Sequence, residues 1–258
     1  MGDASFSEKL ISMARFFVTK DNIEGSRGVL EGAELEHMRK VLRLRPGEDV
    51  VLFDDQGREH EAVIRSYGSR MAVLEIVRSY RPERESPLDV ILAQAVGKGE
   101  KMDWVVEKAT ELGVCAILPF FSSYTIPKLE GEKIVKRRAR WGKIALSAAK
   151  QSGRTKIPEV MEATDFAELI RRPWGCNLKL IFWAGASSEG LGRIKEGRHH
   201  IESALLAIGP EGGFSDEEVR RASDRGFVSV RLGSRIMRTE TAALSALSVV
   251  QSLWGDMG

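Results

Sequence analysis

From residue 88 onward the chain alternates nearly unbroken apolar runs with amphipathic segments, and no other feature narrows the available folds as much. The runs are "LDVILAQAV" (88–96), "VCAILPFF" (114–121), "LKLIFWA" (178–184), "SALLAIG" (203–209) and "FVSVRLG" (227–233). Strands with one wet face would show a polar residue at every second position. Strands buried on both faces, as in a mostly parallel sheet covered by helices, need not. The intervening segments read as helices. "DWVVEKATELG" has Asp103 as N-cap and Gly113 as stop, and further helices fall on the basic stretch up to Ala149, "DFAELIRR", residues 215–225 and "TAALSALSVVQSLW" (241–254). The expected class for this half is α/β.

Residues 15–80 follow a different period. "RFFVT", "DVVLFDDQG", "EHEAVIRSYG" and "MAVLEIV" alternate apolar and polar residues between turn signals, which predicts hairpins closing into a small β-barrel. "AELEHMRKVLRL" is the one helical insertion. "RPERESP" (81–87), charged, with two prolines and no period, reads as a linker.

Three strands of the second half end in glycine-containing turns: "FWAGAS", "AIGPEGGFS" and "RLGSRIMRTETA". Ligands of open α/β sheets bind beyond the carboxyl ends of the strands, so these turns are expected to build one site. Common glycine-rich signatures fail. There is no GxxxxGK[ST], "GKGEKM" has Met102 where GxGxxG needs its last glycine, and "GASSEG" is not GxSxG. Ser215 with Glu218 forms a capping box, so a helix starts just after the second turn. A bare helix N-terminus attracts phosphate, but Asp216, Glu217, Glu218 and the loop residue Glu211 put four carboxylates here, which favours a neutral or cationic ligand. Dipole complementation accounts for residues 216–218, but not for Glu211.

Charge adds a partner. The net charge is only +2, yet residues 128–156 hold ten Lys or Arg against two acids, and "RKVLRLR" (39–45) repeats the bias. Such an excess on a nearly neutral chain points to a polyanion, with nucleic acid as the working partner. No apolar run nears the ~20 residues of a membrane span, the first dozen residues lack a secretory apolar stretch, and Cys115 and Cys176 are isolated. A reduced, cytoplasmic chain is expected. The four histidines show no metal spacing, so no metal is expected.

"KGEKMDWVVEKATELGV", "KQSGRTKIPEV", "GPEGGFSDEE" and "LGSRIMRTETAAL", in that order, resemble the RsmE-type 16S rRNA uridine-N3 methyltransferases of the SPOUT superfamily. The resemblance runs from about Met13 to the C-terminus and leaves residues 1–12 unexplained. It implies a PUA-like β-barrel over 13–80, the linker 81–87, and over 88–258 an α/β domain with a trefoil knot. It also implies S-adenosylmethionine as methyl donor, 16S rRNA of the small subunit as substrate, and a homodimer through the knotted domain. Carried onto this chain, the cofactor loops are Phe182, Trp183, Ala184 and Gly185; Ile208, Gly209, Gly212 and Gly213; and Leu232, Gly233, Arg235, Ile236, Met237 and Thr239. A sulfonium cation suits the acidic Glu211.

Methylating a uridine ring nitrogen requires loss of its proton, assisted by a base or by a cation that stabilises the anion. "RIMRTETA" offers both. Arg238 is expected on the uracil oxygens or a phosphate, with Glu211 or Glu240 assisting, while Thr239 or Thr241 caps the last helix. RNA contacts are expected from Arg15, Arg39, Lys40, Arg137, Arg138, Arg140 and Arg154. Two other readings remain: an RNA-binding protein without catalysis, and a relative that methylates a ribose 2′-hydroxyl.

Overall fold

The computed structural model describes residues 13–125, 131–185 and 189–258. The chain divides into two units: one runs up to Glu85 and takes in Ala149–Ile157, and the other comprises Ser86–Ala148 and Pro158–Gly258. Residues 1–12 and Lys128 lie outside the described residues. No helix among the described residues is long and apolar enough to cross a membrane.

In the first unit six strands form one sheet: β1 (Arg15–Phe17), β2 (Ile23–Glu24), β3 (Arg27–Glu31), β4 (Asp49–Phe53), β5 (Glu59–Tyr67) and β6 (Met71–Tyr80). Their order is β1-β4-β5-β6-β3-β2. All pairs are antiparallel except β1 with β4. Period-2 alternation delivers Ile64 and Leu74 to a core shared with Phe16, Leu30 and Leu52. The helical insertion is α1 (Gly32–Glu36) followed by a π-helical turn over His37–Val41, and it buries Leu35 and Met38 in that core.

Carboxylates tie down the 149–157 segment of this unit. Glu85 accepts from the Arg154 guanidinium at 2.7 Å and from the backbone N–H of Thr155 at 2.8 Å. Lys150 pairs with Glu34 at 2.8 Å. Glu59, fully buried, accepts from Arg15, from Arg84 at 2.8 Å and from the Tyr80 hydroxyl at 2.9 Å. Burial and the Glu59 carboxylate push the Tyr80 phenol well above its ordinary pKa. The expected RNA contacts of Arg15 and Arg154 are therefore corrected. The Arg154 residue is 5% exposed and the Arg15 side chain 10%, and both guanidiniums hold buried or partly buried carboxylates.

The second unit is built on an all-parallel sheet. Its strands are β7 (Asp89–Ala95), β8 (Ala116–Phe121), β9 (Glu159–Val160), β10 (Thr164–Asp165), β11 (Leu178–Phe182), β12 (Glu189–Gly190), β13 (Ser203–Ile208) and β14 (Val228–Arg231). They order as β10-β8-β7-β13-β11-β14-β12, with β9 also on β8. The five apolar runs are five of these strands; β8 and β13 are buried on both faces, as Ile117 and Leu118, and Leu205 and Leu206, show, whereas β14 buries only Val230. The helices are α2 (Lys101–Glu111), α3 (Glu132–Ser152, whose residues from Ala149 on belong to the first unit), α4 (Phe166–Arg171), α5 (Leu191–Gly197), α6 (Asp216–Ser223) and α7 (Thr239–Trp254). On one side Phe120, Phe166 and Phe214 cluster, with the Phe120 and Phe214 rings stacked at 6.1 Å.

Asp103 does not cap α2, which starts two residues earlier. Its carboxylate instead accepts from the indole N–H of the fully buried Trp141 at 2.9 Å and pairs with Arg140 at 2.7 Å, fastening α3 to α2. Gly113 ends α2 at φ +81°, as a glycine stop should.

Glu59→Gln would leave two guanidiniums facing a neutral amide in a buried site. A loss of about 3–5 kcal/mol is expected for the first unit, the range for breaking a buried ion pair. Hydrogen exchange of the β4–β6 amides in urea is the direct measurement, because all five tryptophans lie in the other unit.

Candidate functional site

β13 enters the sheet between β7 and β11, and the chain then crosses to β14 on the far side of β11. Because every strand is parallel, the turns after β11, β13 and β14 emerge at one edge. There they enclose a cavity of about 370 Å3, within the size of small-molecule sites.

Each wall comes from one turn. Phe182, Trp183 and Ala184 follow β11, Ile208 to Phe214 follow β13, and Val230 to Gly233 with Arg235, Ile236 and Met237 follow β14. Thr239 and Ala242 of α7 complete the lining. The structure thus brings together every expected loop residue except Gly185, which stands just past the lined part of its turn. Pro210, inside the expected second loop, also lines the cavity, as do Phe214, Val230, Arg231 and Ala242, which lie outside the expected loops. Phe214 could have been expected, since it is the one large apolar residue in "GPEGGFS".

Local bonds hold the second turn. The Gly213 N–H donates to the Pro210 carbonyl at 2.9 Å, and Gly213 sits at φ +71°, a conformation that favours glycine. The Thr239 hydroxyl donates to the Gly209 carbonyl at 2.6 Å and accepts from the Gln94 side-chain amide at 2.9 Å. Thr239 therefore does not cap α7 with its side chain; Arg238 occupies the N-cap position and makes no side-chain cap bond. The capping box at Ser215 and Glu218 is present.

The acidic cluster is less acidic than the chain order suggests. Glu217 pairs with Arg220 at 2.7 Å, and Glu218 is buried in the capping box. Glu211, on the cavity wall, is held by Lys101 at 2.7 Å. Burial acts to raise its pKa, but the Lys101 ammonium and backbone N–H donors prevail and hold the carboxyl below the usual range. Lys101 rises in turn, through its hydrogen bond to Glu211. Glu240 lies off the cavity wall. Its Oε2 is 3.6 Å from the Lys101 ammonium and has no hydrogen-bond partner among the described residues. Lys101 is not among the expected site residues, although it falls within "KGEKMDWVVEKATELGV". Arg235 lines the cavity, whereas Arg238 is exposed beside it without lining it.

The remaining expected RNA residues divide. Arg39 and Lys40 are exposed, with Arg39 over the Tyr67 ring and Lys40 paired to Glu36. Arg137 donates to the Gly99 carbonyl at 3.0 Å and Arg138 to the Val160 carbonyl at 2.8 Å. The basic segment is therefore not one free belt. Its exposed stripe on α3 is Lys133, Lys136 and Lys143, of which Lys136 pairs with Glu132 at 2.9 Å, while the exposed Arg140 is engaged by Asp103. No group of three or more potential metal ligands occurs among the described residues.

A parallel sheet with a cavity of turns at its strand ends is a small-molecule-binding architecture, and the sequence matches of the two units make the chain an RNA methyltransferase. Residues 84–251 match the RNA methyltransferase domain family, and residues 30–77 match the RNA methyltransferase PUA domain family. The chain belongs to the ribosomal RNA small subunit methyltransferase E family. It is 33% identical to that protein of Bacillus subtilis over 92% of this chain and 96% of the relative, and 32% identical to that of Mycobacterium tuberculosis over 93% and 92%. Among solved structures, the Neisseria gonorrhoeae methyltransferase E bound to S-adenosylmethionine is 36% identical with a TM-score of 0.86, over 95% of this chain and all of that one. Lpg2936 of Legionella pneumophila, solved with the same cofactor, matches at 36% and 0.86 over 95% of this chain and 99% of that one.

Lys101→Met removes the donor that opposes desolvation at Glu211, so the Glu211 pKa is expected to rise, as read by carbon NMR of labelled glutamate side chains. In the wild type this carboxyl titrates below its unfolded value. The pair then stabilises the fold above the unfolded glutamate pKa and is lost as pH falls through the folded one. The variant should lose that acid sensitivity.

Proposed function

We propose that this chain methylates ring nitrogen 3 of a uridine in 16S rRNA, with S-adenosylmethionine as donor. The observation that carries the reading is the cavity at the strand ends, with an ionised Glu211 on its wall and relatives of the same family solved with that cofactor. The residues present fit the donor. Ile208, Leu232 and Phe182 offer apolar walls, turn backbone offers amides and carbonyls, and Glu211 offers a negative charge for a sulfonium. When bound, S-adenosylmethionine supplies an electrophilic methyl group that needs no metal.

The chain's residues divide the remaining work. A carboxyl held below its usual pKa is a weak base, so Glu211 suits charge complementation better than proton abstraction. On this reading the exposed cation Arg238, at the start of α7, stabilises negative charge on the uracil as its N3 proton passes to solvent water. Arg235, on the wall, serves the same field. Glu240 assists through the Lys101 cluster.

RNA is held by basic surface on each unit. In the first, Arg39, Lys40, Arg43 and Arg45 surround the exposed Val41 and Leu42; in the second, the stripe on α3 takes phosphates. A PUA-like barrel for the first unit accords with its six-stranded sheet, and a knotted path accords with α7 returning to the Gly209 turn after β14. A homodimer through the second unit and a cytoplasmic location complete the proposal.

The decisive experiment incubates purified small subunits lacking the modification with labelled donor and identifies the product nucleoside by mass spectrometry. N3-methyluridine is expected; a ribose-methylated nucleoside or no product overturns the reading. In the same assay Arg238→Ala should lower the rate about 100-fold, the usual scale for a lost electrostatic group, with little change in cofactor affinity. A rate within about twofold of wild type assigns the role elsewhere.

Reversal of Lys133, Lys136 and Lys143 to Glu should weaken RNA binding without sequence preference. It should also flatten the slope of log K against log[salt] by about 2–3, at ~0.7–0.9 per phosphate contact. Filter binding across salt concentrations measures both, and cofactor affinity should stay unchanged.

A further inference from the structure

The second glycine of the turn after β13 is not there for its backbone conformation, because Gly212 lies outside the positive-φ set that includes Gly213. What excludes a side chain is Tyr124. A Cβ on residue 212 would stand 2.8 Å from the Tyr124 Cβ, closer than such atoms approach. Tyr124 itself is 51% exposed and does not line the cavity, so it sits at the rim.

The loop that carries it is fixed with unusual care. Ser122–Thr125 follows β8 at the same edge of the sheet as the cavity turns. It closes on itself through Thr125, whose hydroxyl accepts from the Ser122 N–H at 2.9 Å. Glu218, 4% exposed, divides its carboxylate between two loops. One oxygen accepts from the Ser123 N–H at 2.9 Å and its hydroxyl at 3.1 Å; the other accepts from the Ser215 N–H at 2.9 Å and its hydroxyl at 3.2 Å. A capping box needs only the second oxygen. The first serves to hold the Tyr124 loop against the Gly212 turn. The result is a half-exposed aromatic ring locked one residue from Glu211.

We propose that Tyr124 is the platform on which the acceptor pyrimidine stacks when it leaves its RNA helix to reach the cavity. This rests on the reading of the chain as an RNA base methyltransferase. Ring nitrogen 3 lies on the pairing edge, so the base must be unpaired and unstacked before it can react. A base drawn out of its stack regains that interaction on an aromatic ring, and proteins that bind splayed bases supply one. Glu218 is the positioning residue for this ring, acting through Ser123.

The test uses the full chain and small subunits lacking the methyl group. Tyr124→Ala and Tyr124→Leu should lower kcat/KM about 5- to 150-fold through KM for the subunit, the span expected for a lost base–aromatic stack. Tyr124→Phe should stay within about twofold of wild type, and calorimetric S-adenosylmethionine affinity should be unchanged in all three. Photo-cross-linking with 5-iodouridine at the methylated position should label the peptide containing Tyr124. The proposal is overturned if Tyr124→Leu keeps wild-type KM, if the loss falls on cofactor affinity, or if the cross-link lands on another peptide. A wild-type protein that leaves the uridine unmethylated, yet cross-links through Tyr124, would instead overturn the activity and leave the stacking platform standing.

Discussion

One buried hydroxyl joins three segments that are distant in the chain. Thr239 gives its proton to the Gly209 carbonyl and takes one from the Gln94 amide, linking the ends of β7 and β13 to the first residue of α7. A hydroxyl can donate and accept at once, and at 5% exposure neither bond competes with water. The link matters because of strand order. β14 lies beyond β11, away from β13, so the segment after it must travel back over the sheet edge before α7 can begin. Thr239 marks where that return ends. The walls from β13 and β14 then face each other across one space, although their strands are not neighbours.

The electrostatics of that space follow from pairing more than from composition. Four carboxylates crowd the stretch from Glu211 to Glu218, yet Arg220 pairs with Glu217, and Glu218 is taken up by Ser215 of the capping box and by Ser123. Glu211 alone of these acids reaches the cavity. Lys101 arrives from the start of α2 and keeps it ionised. Lys101 lies within ion-pair reach of both Glu211 and Glu240, so the two carboxyl groups share one cation.

Much of this was legible in the sequence. Nearly unbroken apolar runs announce a parallel sheet, and five of them became its strands. Glycine turns at three strand ends announced where the cavity forms, because backbone geometry there depends on local residue types. The failures share a cause: they concern pairings between residues far apart in the chain. Asp103 has the chemistry of an N-cap, but Trp141 and Arg140 claim it. Arg154 and Arg15 look like surface cations, but Glu85 and Glu59 bury them. Lys101 and Tyr124 carry no local signal, since each acquires meaning only from the turn it meets. Strand order, and with it the path of the chain after β14, also lies beyond any local pattern.

The start of α7 shows why a cation rather than a base is the better reading of the chemistry. The N-terminal end of a helix carries a partial positive charge, and an arginine there opposes it, a cost on the order of 0.3–1 kcal/mol. Glu240 in the first turn offsets some of this, but a protein selecting only for stability would place an acid at residue 238 as well. The combined field of Arg238 and the helix end becomes favourable once negative charge arrives beside it. A uridine losing its N3 proton brings such a charge, delocalised onto the ring oxygens, and RNA phosphate brings another. Glu211, on the cavity wall and paired with Lys101, supplies the negative charge of the site. On the proposed reading, Arg238 and the helix end stabilise the negative charge that develops on the uracil, whereas Glu211 binds and orients the sulfonium without activating it, because the transfer cancels that charge.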